Sequence, residues 1–95
     1  MIDERLNEIR KISNSQAFEK AIIKLEKTDK PLFEQLAGQI EKVLRMPSVG
    51  KPLRYTLKNR RRLHAGSFVL VYEFHDGELR FIDFDHHDKI YKKYK

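Results

Sequence analysis

Ninety-five residues carry 20 Lys and Arg against 14 Asp and Glu, a formal net charge of +6, with no cysteine. That length supplies one core rather than two, and without cysteine there is neither a disulfide framework nor a cysteine-bearing zinc site. The longest apolar run, Phe68 to Tyr72, is too short to span a bilayer, and the charged opening Met1-Ile2-Asp3-Glu4-Arg5 lacks a signal-peptide core. A single domain over residues 1–95, cytoplasmic and with no membrane partner, is the expectation.

Ile2, Leu6, Ile9 and Ile12 recur at helical spacing, yet the short stretch before Ser13 suits an edge strand equally, so both readings stay open. Ser13-Asn14-Ser15 offers capping oxygens, and Phe18, Ala21, Ile22 and Leu25 line one face of a helix over about 15–28. Asp29-Lys30-Pro31 restarts the chain, because proline fits a first helical turn. Leu32, Phe33, Leu36, Ile40, Val43 and Leu44 then continue a stripe to Met46-Pro47. Two helices this close predict a helical hairpin that needs a sheet to cover its apolar stripe.

From Leu63 onward the period changes to two. His75-Asp76-Gly77-Glu78 centres on Asp-Gly between two alternating runs, which predicts a hairpin with Glu73 opposite Arg80 and Tyr72 opposite Phe81. Ala65-Gly66 predicts a second tight turn, with His64 opposite Ser67 and Arg62 opposite Val69. The fold class is therefore α+β, an N-terminal helical hairpin on a small twisted antiparallel sheet. The charged tail from Asp88 is expected to form little more than one helical turn.

Charge is uneven along the chain. Residues 1–50 hold nine basic and eight acidic side chains, whereas residues 51–95 hold eleven and six. Six of the eleven (Lys51, Arg54, Lys58, Arg60, Arg61, Arg62) fall between positions 51 and 62 with no acid among them. Such a run attracts phosphate backbones through counterion release, and equally suits a solvated charged strand.

Strict alternation places Arg61, Leu63, Phe68, Leu70, Tyr72, Leu79 and Phe81 on the helix-covered face, with Asp83 and Asp85 awkwardly among them. The other face, expected to be open, takes Arg60, Arg62, His64, Ser67, Val69, Val71, Ile82, Phe84 and His86. Cations and imidazoles together suit cleavage of RNA without a metal or other cofactor. A base removes the 2′-hydroxyl proton, cations stabilise the phosphorane, and an acid protonates the leaving 5′-oxygen. The apolar residues Val69, Val71, Ile82 and Phe84 would leave a patch for a partner, for a second copy or for the chain's own C-terminal segment. Asp83-Phe84-Asp85-His86-His87-Asp88 has metal-ligand chemistry, but alternation points its imidazoles and carboxylates apart, and capping or ion pairing is the competing reading. Tyr91 and Tyr94 suit either base stacking or anchoring of the tail.

The order Ser-x-x-Phe-x-Lys, Met46-Pro47, Gly50-Lys-Pro-Leu53, Arg60-Arg-Arg-Leu-His-Ala-Gly66, Phe68-Val-Leu-Val-Tyr72 and His86-x-x-x-x-Tyr91 resembles the RelE/ParE toxin superfamily over roughly residues 13–94. The Asp83-to-Tyr91 ending is similar to an archaeal-looking subgroup of its RelE-like branch. The resemblance implies an N-terminal strand within residues 4–12 and a toxin of a type II toxin–antitoxin pair, neutralised by a cognate antitoxin. RelE-like members cleave messenger RNA in the ribosomal decoding site, while ParE-like members act on DNA gyrase. RNA, with the ribosome as its setting, is thus the second implied partner. Arg60 and Arg62, flanked by Lys58 and Arg61, correspond to the phosphate-binding cations, and Tyr91 to the terminal tyrosine. Val69 stands where RelE-like nucleases carry an arginine, and Asp85-His86-His87 replaces another. His64, His86 and His87 are the candidates for the missing acid, base or charge. A toxin that binds a protein without cleaving RNA, and a non-toxic nucleic-acid-binding domain, remain the alternatives.

Overall fold

The computed structural model describes residues 9–53 and 59–94. Its elements are β1 (Lys11–Asn14), α1 (Gln16–Thr28), α2 (Lys30–Arg45), β2 (Lys51–Pro52), β3 (Arg60–Ala65), β4 (Phe68–His75), β5 (Glu78–His86) and α3 (His87–Lys93). The sheet order is β1-β5-β4-β3-β2. β1 lies parallel to β5, with Lys11 beside Glu78 and Asn14 beside Phe81, so the sheet is mixed rather than wholly antiparallel. The α+β class holds, and the N-terminal strand, at residues 11–14, overlaps the end of the 4–12 window, whose residues 4–8 lie outside the described residues.

Local chemistry sets the element ends. Ser15 caps α1 by accepting from the Phe18 amide, and its hydroxyl donates to the Ile82 carbonyl, which ties the helix start to β5. Asp29 alone separates α1 from α2 and accepts from the Leu32 amide, with Pro31 in the first turn. Asp76 and Gly77 both have positive φ, the geometry that an Asp-Gly hairpin turn requires, and Glu73 pairs with Arg80 as expected. The preceding turn is Gly66-Ser67, not Ala65-Gly66. His64 therefore pairs with Val69 and Arg62 with Val71, a shift of two residues that leaves the faces of β3 unchanged.

A bulge breaks the alternation of β5. Tyr72 pairs with Phe81 but Val71 with Asp83, which leaves Ile82 extra and inverts the parity beyond it. Phe84 and His86 thereby join Leu70 and Phe68 on the side of α1 and α2, and Asp83 and Asp85 join Val71 and Val69 on the other. The placement of Phe84 and His86 on the open face is corrected by this single residue.

On one side of the sheet Phe18, Leu25, Leu36 and Val43 from the helices meet Leu70, Tyr72, Leu79, Phe81 and Phe84. On the other, α3 lays Ile90 over Leu53, Val69 and Val71, with Ile82, Tyr91 and Tyr94 around them. That face is not open: Val69 and Val71 are fully buried. The tail that was expected to form one turn makes seven helical residues because it has this apolar surface to cover.

The loop after α2 is pinned by Tyr72. Its hydroxyl donates to the Pro47 carbonyl at 2.6 Å and accepts from the Gly50 amide at 2.9 Å, and burial pushes the phenol up. A Cβ on Gly50 would lie 2.9 Å from the Arg62 carbonyl and 2.8 Å from that hydroxyl, so this approach needs glycine.

Candidate functional site

Arg60 and Arg62 project from the α3 side of β3, and α3 sets a tyrosine over each. The Arg60 guanidinium lies 5.6 Å from the Tyr94 ring centroid and that of Arg62 lies 5.9 Å from Tyr91, both within cation–π range. Arg60 is also drawn to Glu73 at 3.4 Å, whereas Arg62 donates only to the Pro52 and Leu53 carbonyls, leaving its charge without a carboxylate among the described residues. Arg61 points to the opposite side and donates to the Ser48 and Gly50 carbonyls, so its expected phosphate role gives way to holding the loop after α2. Lys58 lies outside the described residues.

The imidazoles divide in the same way. His86 and His87 sit side by side with centroids 4.3 Å apart, and Tyr91 follows 6.4 Å from His87. His64 is exposed on β3 with Val69 between it and Asp85, so roughly two strand spacings, about 10 Å, separate their backbones. Contacts run in a row from His86 through His87 and Tyr91 to Arg62, with His86 and Arg62 at its two ends, and no such contact reaches His64 among the described residues. Asp88, which the sequence reading passed over as a catalytic neighbour, touches both histidines. Its amide donates to His86 Nδ1 at 3.3 Å, and its Oδ1 lies 3.0 Å from His87 Nδ1. An Nδ1 that accepts leaves the His86 proton on Nε2, while an Nδ1 turned to a carboxylate leaves His87 Nε2 free to take a proton. His86, His87 and Asp88 also have ligand atoms within 4.8 Å of one another.

The acids of β5 serve to latch α3. Lys93 Nζ lies 3.0 Å from Asp83 and 3.2 Å from Asp85, and the Tyr94 hydroxyl donates to Asp83 at 3.0 Å. Burial alone would raise the Asp85 carboxyl, but the His86 amide and Lys93 together hold it below its ordinary value. Burial and the Asp83 carboxylate push the Tyr94 phenol up to about 12. Of the competing readings for Asp83 and Asp85, ion pairing accounts for both.

The ParE toxin family of type II toxin–antitoxin systems (parDE) matches residues 12–91. The chain belongs to this family. A relative from Methanocaldococcus jannaschii, described as a candidate toxin RelE4, is 38% identical over 82 residues, covering 83% of this chain and 87% of that one. The solved YoeB/ParE toxin from Agrobacterium tumefaciens superposes with a TM-score of 0.72 at 18% identity, over 82% of this chain and 99% of its own. The toxin of the Escherichia coli DinJ–YafQ complex superposes with a TM-score of 0.64 at 26% identity, over 86% and 98%. This ParE-family toxin thus shares the sheet and helical pair of those solved structures. Among its described residues no helix is long and apolar enough to cross a membrane.

Proposed function

We propose that this toxin is an endoribonuclease that cleaves messenger RNA in the cytoplasm, in the course of translation and without a metal, and that a cognate antitoxin neutralises it. The observation that carries the reading is the row of contacts His86–His87–Tyr91–Arg62 that leads from the β5–α3 junction to β3. His87 Nε2 takes the proton of a 2′-hydroxyl, and the freed oxygen attacks the adjacent phosphorus. The bond from phosphorus to the 5′-oxygen breaks, that oxygen takes the Nε2 proton of His86, and a 2′,3′-cyclic phosphate and a 5′-hydroxyl result. His86 enters the step as imidazolium, with its Nδ1–H toward Asp88 Oδ2, 3.7 Å away, and leaves it as neutral imidazole. Arg62 stabilises the charge that builds on the phosphorane, and Tyr91 stacks on a flanking base. Arg60, engaged by Glu73, guides the phosphate backbone more weakly. The DinJ–YafQ structure is a toxin–antitoxin complex, which supports the same kind of partner here. An antitoxin that contacts Val69, Val71 or Ile82 has first to lift α3, while Phe84 is reached only from the α1 side.

The reading is tested by induced expression in a translating extract with primer extension on a reporter message. Cuts appear with wild type and with His64→Ala, and vanish with Arg62→Ala and His87→Ala, a loss on the order of 10²-fold or more. Loss of cutting in His64→Ala, with the fold intact, would overturn the grouping of residues. A second reading, inhibition of a protein target without cleavage, is favoured by Val69, which is fully buried where RelE-like nucleases present an arginine. Growth arrest with intact RNA would establish it.

A further inference from the structure

β1 ends opposite Phe81, so among the described residues the last part of β5 has no neighbouring strand on that side, and a groove of about 510 Å³ runs across this edge from α1 to α3. Its floor is apolar, with Ala21, Leu25 and Leu32 beside Phe68 and Phe84, whose rings stack at 5.4 Å. His86 meets Phe68 edge-on at 5.8 Å and forms the junction between the groove and the His87–Tyr91 cluster. Lys20 and Lys24, one turn apart on α1, and Lys89 on α3 stand on the rim, Lys89 near enough to Asp85 to help hold its carboxyl down but in no direct ion pair among the described residues.

Three acids also line the groove, and each is already engaged. Asp29 caps α2, Asp83 is held by Lys93 and Tyr94, and Asp85 is held by Lys93. The charge left to act on a ligand is therefore that of the free ammonium groups. The free edge itself is closed to a partner strand. The Phe84 amide donates to Asp83 Oδ1 at 2.9 Å and the His86 amide to Asp85 Oδ1 at 2.8 Å, so the donors that β-augmentation would use are taken. What fits is a ligand with a flat apolar face and an anionic backbone, of a size that a cleft in the usual range for small ligands can hold.

Building on the ribonuclease reading, we propose that this groove is a second RNA subsite, which takes a nucleotide next to the cleaved bond, its base against Phe68 and His86 and its phosphate at Lys20, Lys24 and Lys89. The strand then crosses the sheet edge from α1 to α3, with His86 at the crossing. The three rim lysines come from two elements far apart in the chain, and only the fold brings them to one ligand.

The test is fluorescence anisotropy with a mixed-sequence, 2′-O-methylated RNA oligomer, which cannot undergo 2′-hydroxyl attack. Wild type is compared with Lys20→Ala/Lys24→Ala and with a charge-matched control, Lys27→Ala/Lys30→Ala, on exposed positions that do not line the groove. The expected result is about a tenfold loss of affinity at low salt and a salt slope flatter by about one for the groove pair, with little change for the control. Equal losses in both pairs would reduce the effect to net charge and overturn the subsite. Unchanged RNA binding by the groove pair would overturn it too, whether or not a protein partner is lost, while leaving the ribonuclease reading standing. If wild type cuts message in the translating extract yet the oligomer is not bound, the subsite alone is overturned. If it neither cuts nor binds, both readings are.

Discussion

On the side of the sheet that faces α1 and α2, Phe18, Leu36, Leu70 and Tyr72 are buried against one another, whereas on the other side three buried aliphatic residues, Leu53, Val69 and Val71, lie under Ile90 of the seven-residue α3 and a set of charges. The first side is held by apolar area removed from water, which is non-directional and large. The second has few methylenes and depends on Lys93, Asp83 and Tyr94 to keep its cover in place. Local opening draws on the parts of a protein with least buried contact, so the α3 side is expected to open first. The residues proposed to handle RNA lie along that weaker cover, where a substrate or partner can reach them without dismantling the main core.

Breaking the strong side should unfold the whole molecule. Phe18→Ala removes a nearly inaccessible ring stacked on Phe81 at 5.2 Å and is expected to cost about 3–5 kcal/mol in chemical denaturation, in a single transition. Ile90→Ala removes the centre of the weak side and is expected to cost about 2–3 kcal/mol. Its signature is local: amide exchange accelerates in α3 while α1 and α2 keep their protection. Equal acceleration in all three helices would merge the two regions into one cooperative unit. Gly50→Ala, at the loop that joins them, forces the Arg62 carbonyl or Tyr72 aside and is expected to cost about 1–3 kcal/mol, with the Arg62–Tyr91 geometry disturbed as well. A stable variant with unchanged RNA binding would show that this loop does not position the site.

Smaller effects come from titrating the latch. The folded Tyr94 phenol, at about 12, lies above its ordinary value of 10.0. Its contribution to stability is therefore complete below pH 10.0 and is lost as pH rises through about 12. The difference between wild-type and Tyr94→Phe phenolate absorbance titrations should isolate one late step in that window. A step at pH 10.0 would mean that Asp83 does not hold the hydroxyl. On the acid side Asp85 is held below its ordinary value, so its contribution is present above the usual carboxylate range and fades as pH falls through the folded value. Lys93→Met should weaken that acid dependence.

The first two helices, their ends and the Asp76-Gly77 hairpin were legible from the chain alone, because capping oxygens, proline, an Asp-Gly pair and apolar periodicity act over a few residues. The family was legible too, from motifs whose order survives substitution. Membership on a site was less so. Arg60 and Arg62 fell on the right face because a slip of two residues keeps parity, while Arg61 was counted as a phosphate ligand although parity already placed it under the helices.

What the sequence by itself determined is the set of segments and the hydrophobic pattern of each, since these follow from spacing within one element. What only the tertiary structure decided is which segments share a surface. The extra Ile82 exchanged Phe84 and His86 for Asp83 and Asp85, α3 covered Val69 and Val71, and Lys20 and Lys24 came to stand beside Lys89. A bulge carries no obligatory residue, and contacts between elements distant in the chain depend on the energy of the whole packed arrangement rather than on any local pattern.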